Sequence, residues 1–131
     1  MAGETILIVE DNRINRRLLD AVLSPHGYRL LIAVDGEQAL AMARAERPDL
    51  ILMDMQLPVL SGYEATRLLK SDPATRHIFI VAITAHAMED ERLQVMQAGC
   101  DAYISKPFDT RAFPGQIRAF LARQEGSHDP N

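Results

Sequence analysis

The sequence predicts an α/β fold, a parallel sheet covered by helices on both faces. Two observations carry this. Short apolar, β-rich runs alternate with helix-periodic segments five times along the chain. Those runs are almost continuously apolar, as strands buried on both faces are. A third observation bears on function: the runs end in polar residues, three acids among them. An open parallel sheet places its ligand site at that edge.

The elements follow in order. Thr5 to Val9 (TILIV) reads as the first buried strand. From Ile14 to Leu23 the apolar positions Ile14, Leu18, Leu19, Val22 and Leu23 line one helical face, and Pro25 with Gly27 stops it. Tyr28 to Val34 is the second strand, and Asp35-Gly36 turns the chain into an Ala-rich helix over Glu37 to Ala45. Pro48 separates that helix from the third strand, Asp49 to Met53. Ser61 with Glu64 forms a capping-box pattern that opens a helix through Lys70. Asp72-Pro73 marks a turn before the fourth strand, Ile78 to Ile83. Ala87 to Ala98 is helical with a charged flank, and Gly99 is placed to cap it. Ala102 to Ser105 is a short fifth strand. The last helix lies between Asp109 and Arg123. Pro114 is costly inside a helix and favourable at its start, so the regular part is expected to begin there, giving a shortened helix.

At 131 residues the chain suits one domain, expected over residues 4–123, with a short polar, mobile tail at 124–131. A formal net charge of −4 argues against a general nucleic-acid or membrane surface. The lone Cys100 precludes an internal disulfide and reads as a buried small residue without chemistry. No apolar run approaches membrane-spanning length, and a soluble, cytoplasmic protein is the expectation.

The strand ends carry the chemistry. Glu10 and Asp11 follow the first strand, Asp54 the third, Thr84 the fourth, and Ser105 with Lys106 the fifth. Two carboxylates about 4 Å apart repel by about 4 kcal/mol at an effective dielectric near 20. Three carboxylates against the single ammonium of Lys106 call for a divalent cation. The ligands are all oxygens, which favours magnesium, manganese or calcium over zinc, and a small acidic site with room for waters favours magnesium. A carboxylate beside such an ion, with an ammonium and a hydroxyl near it, can accept a phosphoryl group as an acyl phosphate. Asp54 is the candidate acceptor, Lys106 a counter-charge and Thr84 a hydrogen-bond donor.

The segments IVEDN (residues 8–12), LILMDMQLPVLSG (50–62), VAITAHA (81–87) and YISKPF (103–108) together resemble the receiver domains of two-component response regulators. The likeness spans residues 4 to 123. It is nearest to receivers of phosphorelays and hybrid kinases and to stand-alone DivK-like regulators. It implies a flavodoxin-like (βα)5 three-layer sandwich with strand order 2-1-3-4-5. It makes Asp54 the phosphorylated aspartate, with Glu10, Asp11 and the backbone carbonyl of Gln56 completing a magnesium site. By the same resemblance Thr84 is the switch hydroxyl, Tyr103 the switch aromatic and Lys106 the phosphate-contacting lysine, and the Lys106-Pro107 bond is a candidate for the cis form. Gln56 and His86 are placed to tune hydrolysis. Arg13, Ile14, Arg17 and Leu18 resemble the surface on which a phosphodonor docks. The implied donor is a sensor histidine kinase or a histidine phosphotransfer protein, and the implied role is signalling, not metabolic catalysis. In the family the fourth and fifth helices with the fifth strand often form a dimer or output face. The shortened last helix argues for a monomer or weak dimer.

Plainer readings stand beside these. Asp11 or Asn12 would serve as an ordinary N-cap, and Thr84 could cap the helix after it. Tyr103 is by default a core aromatic. Arg13, Arg16 and Arg17 could be a solvated basic edge. Met42, Met88 and Met96 read as packing. An aspartate-nucleophile phosphatase of the haloacid dehalogenase type would want a second Asp where Gln56 stands. A flavodoxin-like nucleotide binder would want a Gly-rich phosphate loop where Glu10 and Asp11 stand. A receiver-like module that is never phosphorylated is opposed by the intact set of five site residues.

Overall fold

The computed structural model describes residues 3–84, 89–106 and 109–127, apart from the side chains of 89 and 124–127. Strands β1 (Thr5–Val9), β2 (Arg29–Ala33), β3 (Leu50–Asp54), β4 (Phe79–Thr84) and β5 (Ala102–Ser105) form one parallel sheet in the order β2-β1-β3-β4-β5. Helices α1 (Arg13–Leu23), α2 (Gly36–Glu46), α3 (Gly62–Ser71), α4 (Glu89–Ala98) and α5 (Phe113–Ser127) alternate with them. This is the expected order and sandwich.

Side-chain alternation splits each strand between two cores. Ile6, Ile8, Leu50, Leu52, Phe79, Val81 and Ile83 face Leu19 and Leu23 of α1 and Phe113, Ile117 and Leu121 of α5. Leu7, Val9, Ile51, Met53, Ile80 and Ala82 face Ala39 and Ala43 of α2, Ala65 and Leu69 of α3 and Val95 of α4. Every residue of β1 beyond Thr5, of β3 and of β4 is buried. At about 1.5–3 kcal/mol for each large aliphatic side chain, these three strands hold the domain together.

Local chemistry sets the helix ends. The side chains of Asn12, Asp35 and Ser61 accept from the N–H groups of Asn15, Gln38 and Glu64, capping α1, α2 and α3. Asn12, rather than Asp11, caps α1, which leaves Asp11 free for other work. After α1 a short 3-10 turn (Ser24–His26) ends on Gly27 at φ +80°. Gly99, at φ +106°, closes α4 as expected: its N–H reaches the Met96 carbonyl and that of Cys100 the Val95 carbonyl, the paired bonds of a Schellman motif.

Several boundaries differ from expectation. β2 begins at Arg29 and ends at Ala33, one residue inside the apolar run at each end. Asp54 belongs to β3, paired with Ile83, and does not merely follow it. The last helix begins at Phe113, so Pro114 stands at its second position, where no intrahelical N–H bond is lost. It runs to Ser127 and is 15 residues long, not shortened. Asp109 organises the preceding turn, its side chain accepting from the N–H groups of Arg111 and Ala112.

Candidate functional site: an acidic cleft at the sheet edge

The strand order brings the ends of β1 and β3 side by side, with β4 and β5 beyond them. A cleft of about 550 Å³ opens there, lined by Glu10, Asp11, Asn12, Arg13, Asn15, Asp54, Gln56 and Lys106. Glu10 and Asp54 are only 2 % and 3 % exposed, while Asp11 stands in solvent. One carboxylate oxygen from each of the three lies within 4.8 Å of the others.

Three acids this close need compensation, and the protein supplies part of it. Lys106 Nζ lies 3.2 Å from Asp54 Oδ2 and 3.5 Å from Glu10 Oε1. The N–H of Gln56 donates to Asp54 Oδ1 at 2.9 Å, and that of Asn12 to Glu10 Oε2 at 3.2 Å. The compensation is incomplete at Glu10. Burial, followed by the shared hydrogen bond and charge of Asp54, pushes its carboxyl up to about 7, against the opposing pull of the Asn12 N–H and Lys106. The donor set fits a hard divalent cation: clustered carboxylates, solvent access through Asp11, and neither histidine nor thiolate among the described residues of the cleft lining.

Backbone packing holds the frame. Lys106 is placed by its own N–H, which donates to the Thr84 carbonyl at 2.8 Å. Gly62 opens α3 hard against β3: a Cβ there would run into the Asp54 carbonyl oxygen and the Met55 Cα. The loop between carries a tight turn, Leu60 N–H to Pro58 carbonyl at 2.7 Å, with Val59 at φ +69°.

Five expected site residues therefore converge: Glu10, Asp11, Asp54, Gln56 and Lys106. Thr84 sits at the correct strand end, but its hydroxyl donates to Glu91 of α4 and it is not among the cleft residues. Tyr103 is half-buried against the core, and the Arg92 guanidinium lies over its ring at 5.2 Å. His86 and Pro107 lie outside the described residues. On α1, Ile14 is 76 % and Leu18 36 % exposed beside exposed Arg17, whereas Arg13 lines the acidic cleft itself.

Sequence reasoning missed two partners. Arg16, read only as part of a basic edge, donates from Nη1 to the carbonyls of Asp11 at 2.8 Å and Glu10 at 3.2 Å. Glu91, read as part of a charged flank, accepts from Thr84 and from Tyr63. A basic residue one helical turn past the acidic pair was the available signal for the first. Nothing local in the sequence distinguishes Glu91 from its neighbours Glu89 and Asp90.

An edge-bound acid triad with a lysine, on a sheet of order 2-1-3-4-5, is the architecture of a phosphoacceptor signalling domain. A profile of the response regulator receiver domain matches residues 6–118, and the chain belongs to that family. It is 44 % identical over 118 residues to the polar-differentiation response regulator DivK of Brucella anthropi, covering 90 % of this chain and 96 % of that one. Among solved structures it resembles the receiver domain of sensor histidine kinase PA1611 from Pseudomonas aeruginosa PAO1, solved with a magnesium ion coordinated in its active-site cleft. That match has a TM-score of 0.83 and 41 % identity, covering 95 % of this chain and 99 % of the other. A CheY-like receiver domain protein from Methanospirillum hungatei matches with a TM-score of 0.87 at 28 % identity, covering 96 % and 99 %.

Proposed function

We propose that this receiver domain, expected over residues 4–123 and extended by α5 to Ser127, takes a phosphoryl group onto Asp54 from a phosphohistidine donor. The observation that carries the reading is the setting of Asp54. It is a nearly buried carboxylate at the end of β3, held through one oxygen by the Gln56 N–H and through the other by the Lys106 ammonium, beside two further acids. A carboxylate oxygen of Asp54 attacks phosphorus, the phosphorus–nitrogen bond to the donor imidazole breaks, and its electron pair stays on the imidazole nitrogen. Lys106 offsets the charge that gathers on the phosphoryl oxygens. Magnesium is the expected ion, held by Glu10, Asp11, Asp54 and the Gln56 carbonyl, and would supply further positive charge to those oxygens.

In this reading Thr84 turns toward the phosphoryl group and Tyr103 follows, changing what the α4 side of the molecule binds. Gln56 and His86 set the lifetime of the acyl phosphate. Arg13, Ile14, Arg17 and Leu18 receive the donor, a sensor histidine kinase or histidine phosphotransfer protein. The magnesium-bearing PA1611 receiver and the DivK relative support the cofactor and the donor class. No helix among the described residues is long and apolar enough to cross a membrane. We assign a cytoplasmic protein that acts through protein contacts, without direct nucleic-acid binding; with α5 running to Ser127, the shortened helix that argued for a monomer or weak dimer is absent.

Incubation with acetyl phosphate and magnesium, followed by intact mass, tests this. One phosphoryl adduct is expected, absent with a chelator and in Asp54→Asn. No adduct in a sample shown to bind magnesium would sink the proposal.

A further inference from the structure

The hydroxyl of Thr84 is engaged by a residue that the acidic cleft does not otherwise use. Thr84 Oγ1 donates to Glu91 Oε1 on α4, and the same oxygen accepts from the Tyr63 hydroxyl of α3 at 3.4 Å. Glu91 thus ties the end of β4 to two helices. Thr84 is 2 % exposed and Glu91 half-buried, so water competes poorly for this bond. The next residue along α4, Arg92, covers the ring of Tyr103. Two adjacent α4 residues therefore hold the two side chains assigned to the switch.

We propose that Glu91 is a positioning residue for Thr84: it keeps the hydroxyl turned to α4 and must release it before a phosphoryl group on Asp54 can be bound. The inference rests on the reading of Asp54 as the acceptor. A threonine hydroxyl carries one proton, so donating it to Glu91 precludes donating it to a phosphoryl oxygen. Both acceptors are anionic, and hydrogen bonds to anions are the strong ones, so the two compete on near-equal terms. When the phosphoryl group wins, α4 loses this bond to β4. Glu91 then faces a second anion across the Thr84 side chain, which favours displacement of α4. Glu91 therefore sets how much of the phosphoryl group's binding is spent on freeing Thr84, and so how readily the domain switches.

The test uses beryllofluoride, a phosphoryl mimic that does not turn over, titrated calorimetrically with magnesium into the whole chain. Glu91→Ala should bind it about tenfold more tightly, the scale of one charge-assisted hydrogen bond no longer broken, with magnesium affinity unchanged. Glu91→Gln keeps the shape and an acceptor but not the charge, and should gain roughly threefold, a partial loss of that bond; it decides the question if the alanine variant does not fold. In a Thr84→Ala background Glu91→Ala should make no difference. An equal effect in both backgrounds would mean a merely structural role, and that, or weaker binding by both Glu91 variants, would overturn the proposal. If the unsubstituted chain binds magnesium but not beryllofluoride, the assignment of Asp54 fails, and this inference fails with it.

Discussion

Lys106 Nζ stands 3.2 Å from Asp54 Oδ2, an ion pair between the ends of two strands that are not neighbours in the sheet. It spans the end of β4 and reaches on to Glu10 at 3.5 Å. One ammonium thus partly neutralises two buried acids; in the proposed function it would compete with a bound cation and pair with the phosphoryl group.

Those two roles give Lys106→Ala effects of opposite sign. Losing the ammonium leaves the acid cluster more negative, so magnesium should bind more tightly, by roughly tenfold if one unit charge near 5 Å is removed and solvent screens most of it. Phosphorylation by acetyl phosphate should slow by at least about tenfold, because the phosphoryl oxygens lose a counter-charge. Magnesium titration and mass-resolved kinetics on one preparation check both. Weakened magnesium binding would contradict the geometry.

The raised carboxyl of Glu10 gives a pH dependence. Its folded-state value, near 7, lies above the ordinary 4.5. The metal-free folded protein therefore holds this proton more firmly than the unfolded chain does. The stability it confers is complete below about pH 4.5 and is lost as pH rises through 7. Thermal melts of the metal-free protein and of Glu10→Gln should diverge over that interval, with only the former losing stability. Magnesium competes with the same proton, so its affinity should rise from pH 6 to about pH 8 in the unsubstituted chain.

Two glycines should respond in opposite directions. Gly62→Ala forces a Cβ into the β3 backbone beside Asp54, and a cost of about 2–4 kcal/mol is expected for overpacking against backbone that cannot give. Gly115 lies within α5 with open space where a Cβ would stand, and Gly115→Ala should stabilise by about 0.5–1 kcal/mol. Denaturant midpoints of the two variants decide.

Cys100 should be inert in the folded protein. Burial pushes its thiol up to about 11, only partly offset by a contact with the Thr66 hydroxyl. Reaction with a thiol reagent at pH 8 is expected only at the rate of unfolding, with full reaction in denaturant. Rapid labelling of the native protein would show that the α3–α4 side opens locally.

The fold and the cleft were legible wherever a residue violated its surroundings. Asp54 stood out because a carboxylate closes an apolar strand, and Glu10 with Asp11 because two acids follow another. A parallel sheet then brings such ends together without any knowledge of side-chain geometry. The last helix differs from the sequence expectation at both ends. Pro114 suits the first position of a helix, but the second also lacks an N–H partner, and the polar 124–127 stretch looks like tail although its residues continue the helix. Arg16 and Glu91 were illegible for another reason. Each acts on a group from a different turn or strand, and a charged helix residue looks the same whether it meets water, a carbonyl or a hydroxyl.

Arg16 grips the carbonyls of Glu10 and Asp11 from within the helix that exposes Ile14 and Leu18. If α1 receives the donor as proposed, these two bonds tie the turn that bears two of the acids to the docking helix. On that proposal, occupancy of the cleft and of the α1 face would be linked, and linkage is reciprocal: a factor by which magnesium alters donor affinity is the factor by which the donor alters magnesium affinity. A phosphodonor arriving at α1 would, by its mere arrival, help set the ionic state of the cleft it is about to load.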